Sequence, residues 1–81
     1  MEPEQIKHII EQGLAGASAS VSGDGQHFEA VVVSEAFANK SMVQQHKLVY
    51  QALGNKMQGE IHALSLRTYT PEQWAEQGDG I

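Results

Sequence analysis

The sequence predicts an α+β domain on a mixed three-stranded sheet, with the element order α-β-β-α-β-α and helices packed on the sheet. Three observations predict it. Apolar residues recur at helical spacing near the N-terminus and again after Ser41. A Gly-Asp-Gly turn separates two short runs of strand character, and a third alternating run follows the second helical segment.

The first helix runs from about Pro3 to Leu14. Ile6, Ile9, Ile10 and Leu14 share one face, Pro3 suits a first turn, and Gly13 and Gly16 mark the exit. Ser18 to Ser22 reads as a strand, with Ala19 and Val21 on one face. Gly23-Asp24-Gly25-Gln26 turns the chain, and His27 to Val33 returns it. The run Ala30-Val31-Val32-Val33 is apolar on both faces, as expected of a central strand. Ser34 to Lys40 is a connection anchored by Phe37. Ser41 and Gln44 form a capping box for a long helix reaching about Met57. Its expected inward stripe is Met42, Val49, Leu53 and Met57, joined by His46 or Tyr50, and Gly59 closes the connection that follows. Ile61 to Tyr69 alternates as the third strand. Thr70-Pro71-Glu72-Gln73 is a second capping box, opening a short helix that carries Trp74 and frays by Gly78. A strand-helix-strand crossover within one sheet makes its two strands parallel. The hairpin supplies the antiparallel pair.

With 81 residues, the whole chain (1–81) is expected to be a single domain with a modest core. Hydrophobic residues make up 41% and charged residues 19%, a globular composition. The absence of cysteine removes disulfides and thiolate chemistry. No apolar run approaches the ~20 residues of a membrane span, and the opening Met-Glu-Pro-Glu-Gln is acidic where a secretory leader is basic. A cytoplasmic location is the expectation. The net charge of −5 opposes approach to phosphate backbones.

Histidine placement carries the chemistry. His27 begins the second strand and His62 the third. Parallel strands start at the same end of a sheet, and neighbours lie ~4.8 Å apart. The two imidazoles therefore fall at one edge, where they can meet a shared ligand. Neutral imidazole binds zinc, copper and iron. Two histidines leave a metal site incomplete unless a partner adds ligands, and there is no Cys-x-x-Cys or His-Glu-x-x-His motif. The alternative for each histidine is a plain structural or solvent-exposed role. His46 reads as packed or partly buried, and His8 as a solvated surface residue.

Three segments make the sequence recognisable: Ser22-Gly23-Asp24-Gly25-Gln26-His27-Phe28 with Val31-Val32-Val33-Ser34; Phe37-Ala38-Asn39-Lys40-Ser41 with Gln45-His46-Lys47-Leu48-Val49-Tyr50 and Leu53; and Ile61-His62-Ala63-Leu64-Ser65-Leu66-Arg67-Thr68-Tyr69-Thr70-Pro71 with Trp74. On these the chain resembles the BolA family, and its short ending is similar to the bacterial YrbA/IbaG-type subgroup. The resemblance implies a class II KH-like αββαβα domain, often with an extra short helix before the long one. It also implies a non-enzymatic partner of monothiol glutaredoxins that shares a 2Fe–2S cluster with the glutaredoxin cysteine and glutathione, in iron–sulfur trafficking, sensing or stress response. His62 is the implied ligand, and His27 the candidate second ligand from the hairpin region. Mixed His/Cys ligation resembles the Rieske pattern. The sequence departs from the family where Asn39 replaces a glycine and where Gln45 and Lys47 replace arginines. Asn tolerates the left-handed conformation, so the turn can survive. Losing arginine weakens anion contacts.

The second reading is a DNA-binding regulator of transcription, cell shape or acid stress. Its contact residues, for DNA or a protein partner, are Lys40, His46, Lys47 and Lys56, with the lysines also readable as a solvated surface. No Gly-x-x-Gly loop of the KH nucleic-acid clamp is present. Ser41 and Ser65 lack a partnering base, which opposes hydrolytic chemistry. The isolated chain is expected to be a monomer or weak homodimer with no cofactor of its own.

Overall fold

The computed structural model describes residues 2–54 and 63–79. Helix α1 (Pro3–Gly13) starts with Pro3 at its first position, where a missing amide costs nothing. The Glu2 amide donates to Gln5 Oε1 at 2.8 Å. Ile6 and Ile10 are fully buried, and Leu14 joins them just past the helix end. Strands β1 (Ser18–Gly23) and β2 (His27–Val33) form an antiparallel hairpin, with Ser18 opposite Val33 and Gly23 opposite Phe28. A 3₁₀ turn (Glu35–Phe37) leads to α2 (Met42–Leu53), then β3 (Ala63–Tyr69) and α3 (Pro71–Asp79).

β3 pairs parallel with β2, from His27 opposite Ala63 to Val33 opposite Tyr69, so the sheet order is β1-β2-β3. The mixed sheet and the central position of β2 agree with the sequence reading. Alternation along β2 divides its two faces. Phe28, Ala30 and Val32 are buried among Ile6, Ile10, Phe37, Val49 and Leu53, and Leu64 and Leu66 pack against the same cluster. The opposite face carries His27 and Glu29, both exposed, in line with Ser18, Ser20 and Ser22 of β1 and Ser65 and Arg67 of β3, also exposed.

Several expectations are corrected. The long helix ends at Leu53, because Gly54 adopts φ +58 and its amide closes the last turn on the Tyr50 carbonyl. Met57, Gly59 and Ile61, and with them the expected end of the stripe and start of the third strand, lie outside the described residues. Met42 is 69% exposed, although it shares the phase of Val49. Met42 is the first residue of α2 and stays outside the buried cluster, which Phe37 joins from the preceding turn. The inward positions are Gln45, Val49 and Leu53. His46 is half-buried, while Tyr50 is exposed. The extra helix before α2 is the single 3₁₀ turn, capped by Ser34 Oγ, which accepts from the Ala36 amide at 3.0 Å.

Both capping boxes form. Ser41 Oγ accepts from the Gln44 amide at 3.2 Å while Gln44 Oε1 accepts from the Ser41 amide at 3.0 Å. Thr70 and Gln73 repeat the exchange at 3.2 and 2.9 Å. Trp74 remains 41% exposed and rests on Tyr69, ring centres 5.3 Å apart.

Candidate functional site at the strand-start edge

The hairpin turn determines where His27 stands. Asp24 Oδ1 accepts from the Gln26 and His27 amides, each at 2.9 Å, and the Asp24 amide donates to the His27 carbonyl at 3.2 Å. Gly25 takes φ +101, a conformation most L side chains avoid. The His27 amide, followed by that of Gln26, holds the Asp24 carboxyl below its ordinary value, because both bonds favour the ionised form. The main chain of His27 is therefore fixed while its side chain stands in solvent. Its ring takes part in no hydrogen bond among the described residues.

Ala63 lies opposite His27, and its amide donates to the Gln26 carbonyl at 3.2 Å. His62, the residue bonded to Ala63, lies outside the described residues. The donor in view is thus one exposed imidazole at the end of the sheet where β2 and β3 begin. That suits a metal group whose other ligands come from elsewhere. Among the described residues, no three His, Cys, Asp or Glu side chains stand close enough to hold a metal ion.

The proposed contact residues lie elsewhere. Lys40 and Lys47 are exposed and His46 is half-buried, all at or within the first half of α2; Lys56 lies outside the described residues. Val43, 65% exposed, and Tyr50 flank Lys47 at helical spacing, and Met42, 69% exposed, stands four residues before His46, so this surface is as apolar as it is basic. His8 is exposed and pairs with Gln12 at 2.9 Å, as a surface histidine would.

Sequence reasoning missed Gln45. This side chain is buried: Nε2 donates to the Phe37 and Lys40 carbonyls at 3.0 and 3.1 Å, and Oε1 accepts from Thr68 Oγ1 at 2.6 Å. The visible signal is its place four residues before Val49, on the inward stripe. The position where the resemblance implies an arginine is thus an interior tie in this chain. Asn39 has φ +62, so the expected tolerance of the turn is realised. A shallow concavity of about 560 Å³, lined by Glu35, Ala38, Asn39, Thr70, Pro71 and Glu72, lies at the other end of the sheet from His27.

Among the described residues no helix is long and apolar enough to cross a membrane. Residues 4–73 match the family described as BolA-like protein. The chain is 37% identical over 76 residues to the acid stress protein IbaG of Escherichia coli, covering 93% of this chain and 90% of the relative. It is 41% identical over 59 residues to the DNA-binding transcriptional regulator BolA of Haemophilus influenzae, covering 73% of this chain and 57% of that protein. The solved structure of a BolA homologue from Coxiella burnetii superposes with a TM-score of 0.87 at 47% identity, over 93% of this chain and 97% of that one. A profile match over most of the chain, joined to the same fold, shows that this protein belongs to the BolA-like family.

Proposed function

We propose that this protein is a non-enzymatic partner of a monothiol glutaredoxin, contributing His27 and His62 to a shared 2Fe–2S cluster whose other ligands are the glutaredoxin cysteine and glutathione. One observation carries the reading. His27 is exposed where β2 starts, in parallel register with Ala63, the neighbour of His62 in the sequence. The cluster would supply redox chemistry; this chain's part is to hold imidazole donors on a fixed strand edge. The exposed Met42, Val43 and Tyr50 suit a protein partner better than a phosphate backbone.

Titration into a 2Fe–2S-loaded monothiol glutaredoxin tests it by visible absorption, circular dichroism and gel filtration. A changed spectrum with a heterodimer, lost in His62→Ala and altered in His27→Ala, is the expected result. If no complex forms, or the spectrum changes equally with both histidines replaced, the ligand assignment fails.

DNA binding is the second reading, favoured by the name of the Haemophilus influenzae relative and by exposed Lys40 and Lys47. It predicts specific retardation of a defined duplex at ~150 mM salt, abolished by Lys47→Glu. Few cations on an acidic chain make any such binding weak and salt-sensitive.

A further inference from the structure

Among the described residues β3 is an edge strand, and its hydrogen-bonding parity is fixed at both ends. The Ala63 amide donates to Gln26, and the Tyr69 carbonyl accepts from the Ser34 amide at 3.1 Å. In a parallel ladder alternate residues of a strand bond to one neighbour. Residues 63, 65, 67 and 69 therefore serve β2, and the main-chain groups of Leu64, Leu66 and Thr68 face the other way. Among the described residues nothing hydrogen-bonds to them. The opposite edge of the sheet is guarded: Glu11 of α1 accepts the Ala19 amide of β1 at 3.0 Å, and Lys7 holds the same carboxylate at 3.3 Å. An open strand edge is a template for another strand.

We propose that β3 pairs antiparallel with β3 of a second copy about a two-fold axis at Leu66, joining two three-stranded sheets into one of six strands. The strand is self-complementary in this register and less so in its neighbours. Only an axis at Leu66 pairs all seven residues of Ala63–Tyr69. It sets Leu66 against Leu66 and Leu64 against Thr68 as hydrogen-bonded pairs, using the outward groups. Ser65 then faces Arg67 as the closer, non-hydrogen-bonded pair. Moving the axis to Arg67 sets two arginines face to face, which is destabilising. Moving it to Ser65 leaves Thr68 and Tyr69 opposite residues before Ala63. Pairings offset by one residue would set outward main-chain groups against inward ones.

The lack of native cysteine permits a direct test. Ser65 and Arg67 are both exposed, so cysteine at either position leaves the core untouched. The proposed register brings residue 65 of one copy to about 4.5 Å, Cα to Cα, from residue 67 of the other. Like positions then lie ~7–8 Å apart, beyond easy disulfide reach. An equimolar mixture of Ser65→Cys and Arg67→Cys is oxidised mildly, and the products are weighed by mass spectrometry. The mixed disulfide should exceed the half share that random coupling gives. Sedimentation of the unmodified full chain should show a monomer–dimer equilibrium at high concentration. A statistical mixture of disulfides, a homodisulfide of one variant in excess, or a chain monomeric at millimolar concentration would each overturn the proposal.

Discussion

Gln45 shows how one polar side chain can organise an interior. Its amide meets two carbonyls and one hydroxyl, and no buried side-chain nitrogen or oxygen among the described residues lacks a partner. A buried amide is favourable only while every partner is present. Gln45→Leu keeps the volume and strands the Lys40 carbonyl and the Thr68 hydroxyl. The Phe37 carbonyl retains the Lys40 amide at 3.3 Å. The expected cost is about 1–3 kcal/mol, read as a lower urea midpoint at unchanged slope. Thr68→Val should cost less and, combined with Gln45→Leu, be less than additive, since the two share one bond. The inward place of Gln45 was legible from its spacing to Val49, but its hydrogen bonds were not. A glutamine on an inward stripe reads as a flaw in the pattern until its partners are known, and those come from residues 37, 40 and 68.

At the scale of elements, the hairpin turn links local chemistry to the candidate site. Asp24 accepts two amides, more strongly as a carboxylate than when protonated, and its pKa is below the ordinary 3.8. A group whose folded pKa is depressed contributes stability that is complete above its unfolded pKa and is lost as pH falls through the folded value. Stability should therefore be flat in this contribution near neutrality and decline below about pH 4. Asp24→Asn should remove that acid-side slope while keeping the turn, because the amide oxygen still accepts. Comparing chemical denaturation of the two proteins between neutral and acid pH measures it; equal slopes would mean the turn is not the titrating element. Glu11, whose pKa is also lowered chiefly by the Ala19 amide, adds a parallel decline that persists in the variant. The start of β2 was legible because Asp-Gly fixes a tight turn and β-branched residues follow it. The end of α2 was misjudged because Met57 keeps the helical phase of Leu53, and phase says nothing about Gly54, whose backbone stops the helix.

For the whole molecule, the crossover rule did most of the work. Once one strand-helix-strand unit was read, parallel pairing of β2 and β3 and the shared end for their first residues followed. That is why half of the candidate site could be located from residue order alone. His27 stands where the argument requires, while His62 lies outside the described residues. Which face each residue takes was less legible. The run Ala30-Val31-Val32-Val33 shows no alternation, yet Ala30 and Val32 are buried while Val31 and Val33 are only half-covered, because helices cover one face more fully than the other.

The Tyr69–Trp74 contact has a practical consequence. Trp74 is the sole tryptophan of the chain, half in solvent, and its ring leans at 51° on the last residue of β3. Its emission will therefore follow one event, the seating of α3 on the sheet, against a background of only two tyrosines. The protein carries its own optical gauge for the end of the sheet opposite His27. A ligand at the histidine edge that leaves the fluorescence still, beside one that shifts it, would tell a local event from one felt along the length of β3.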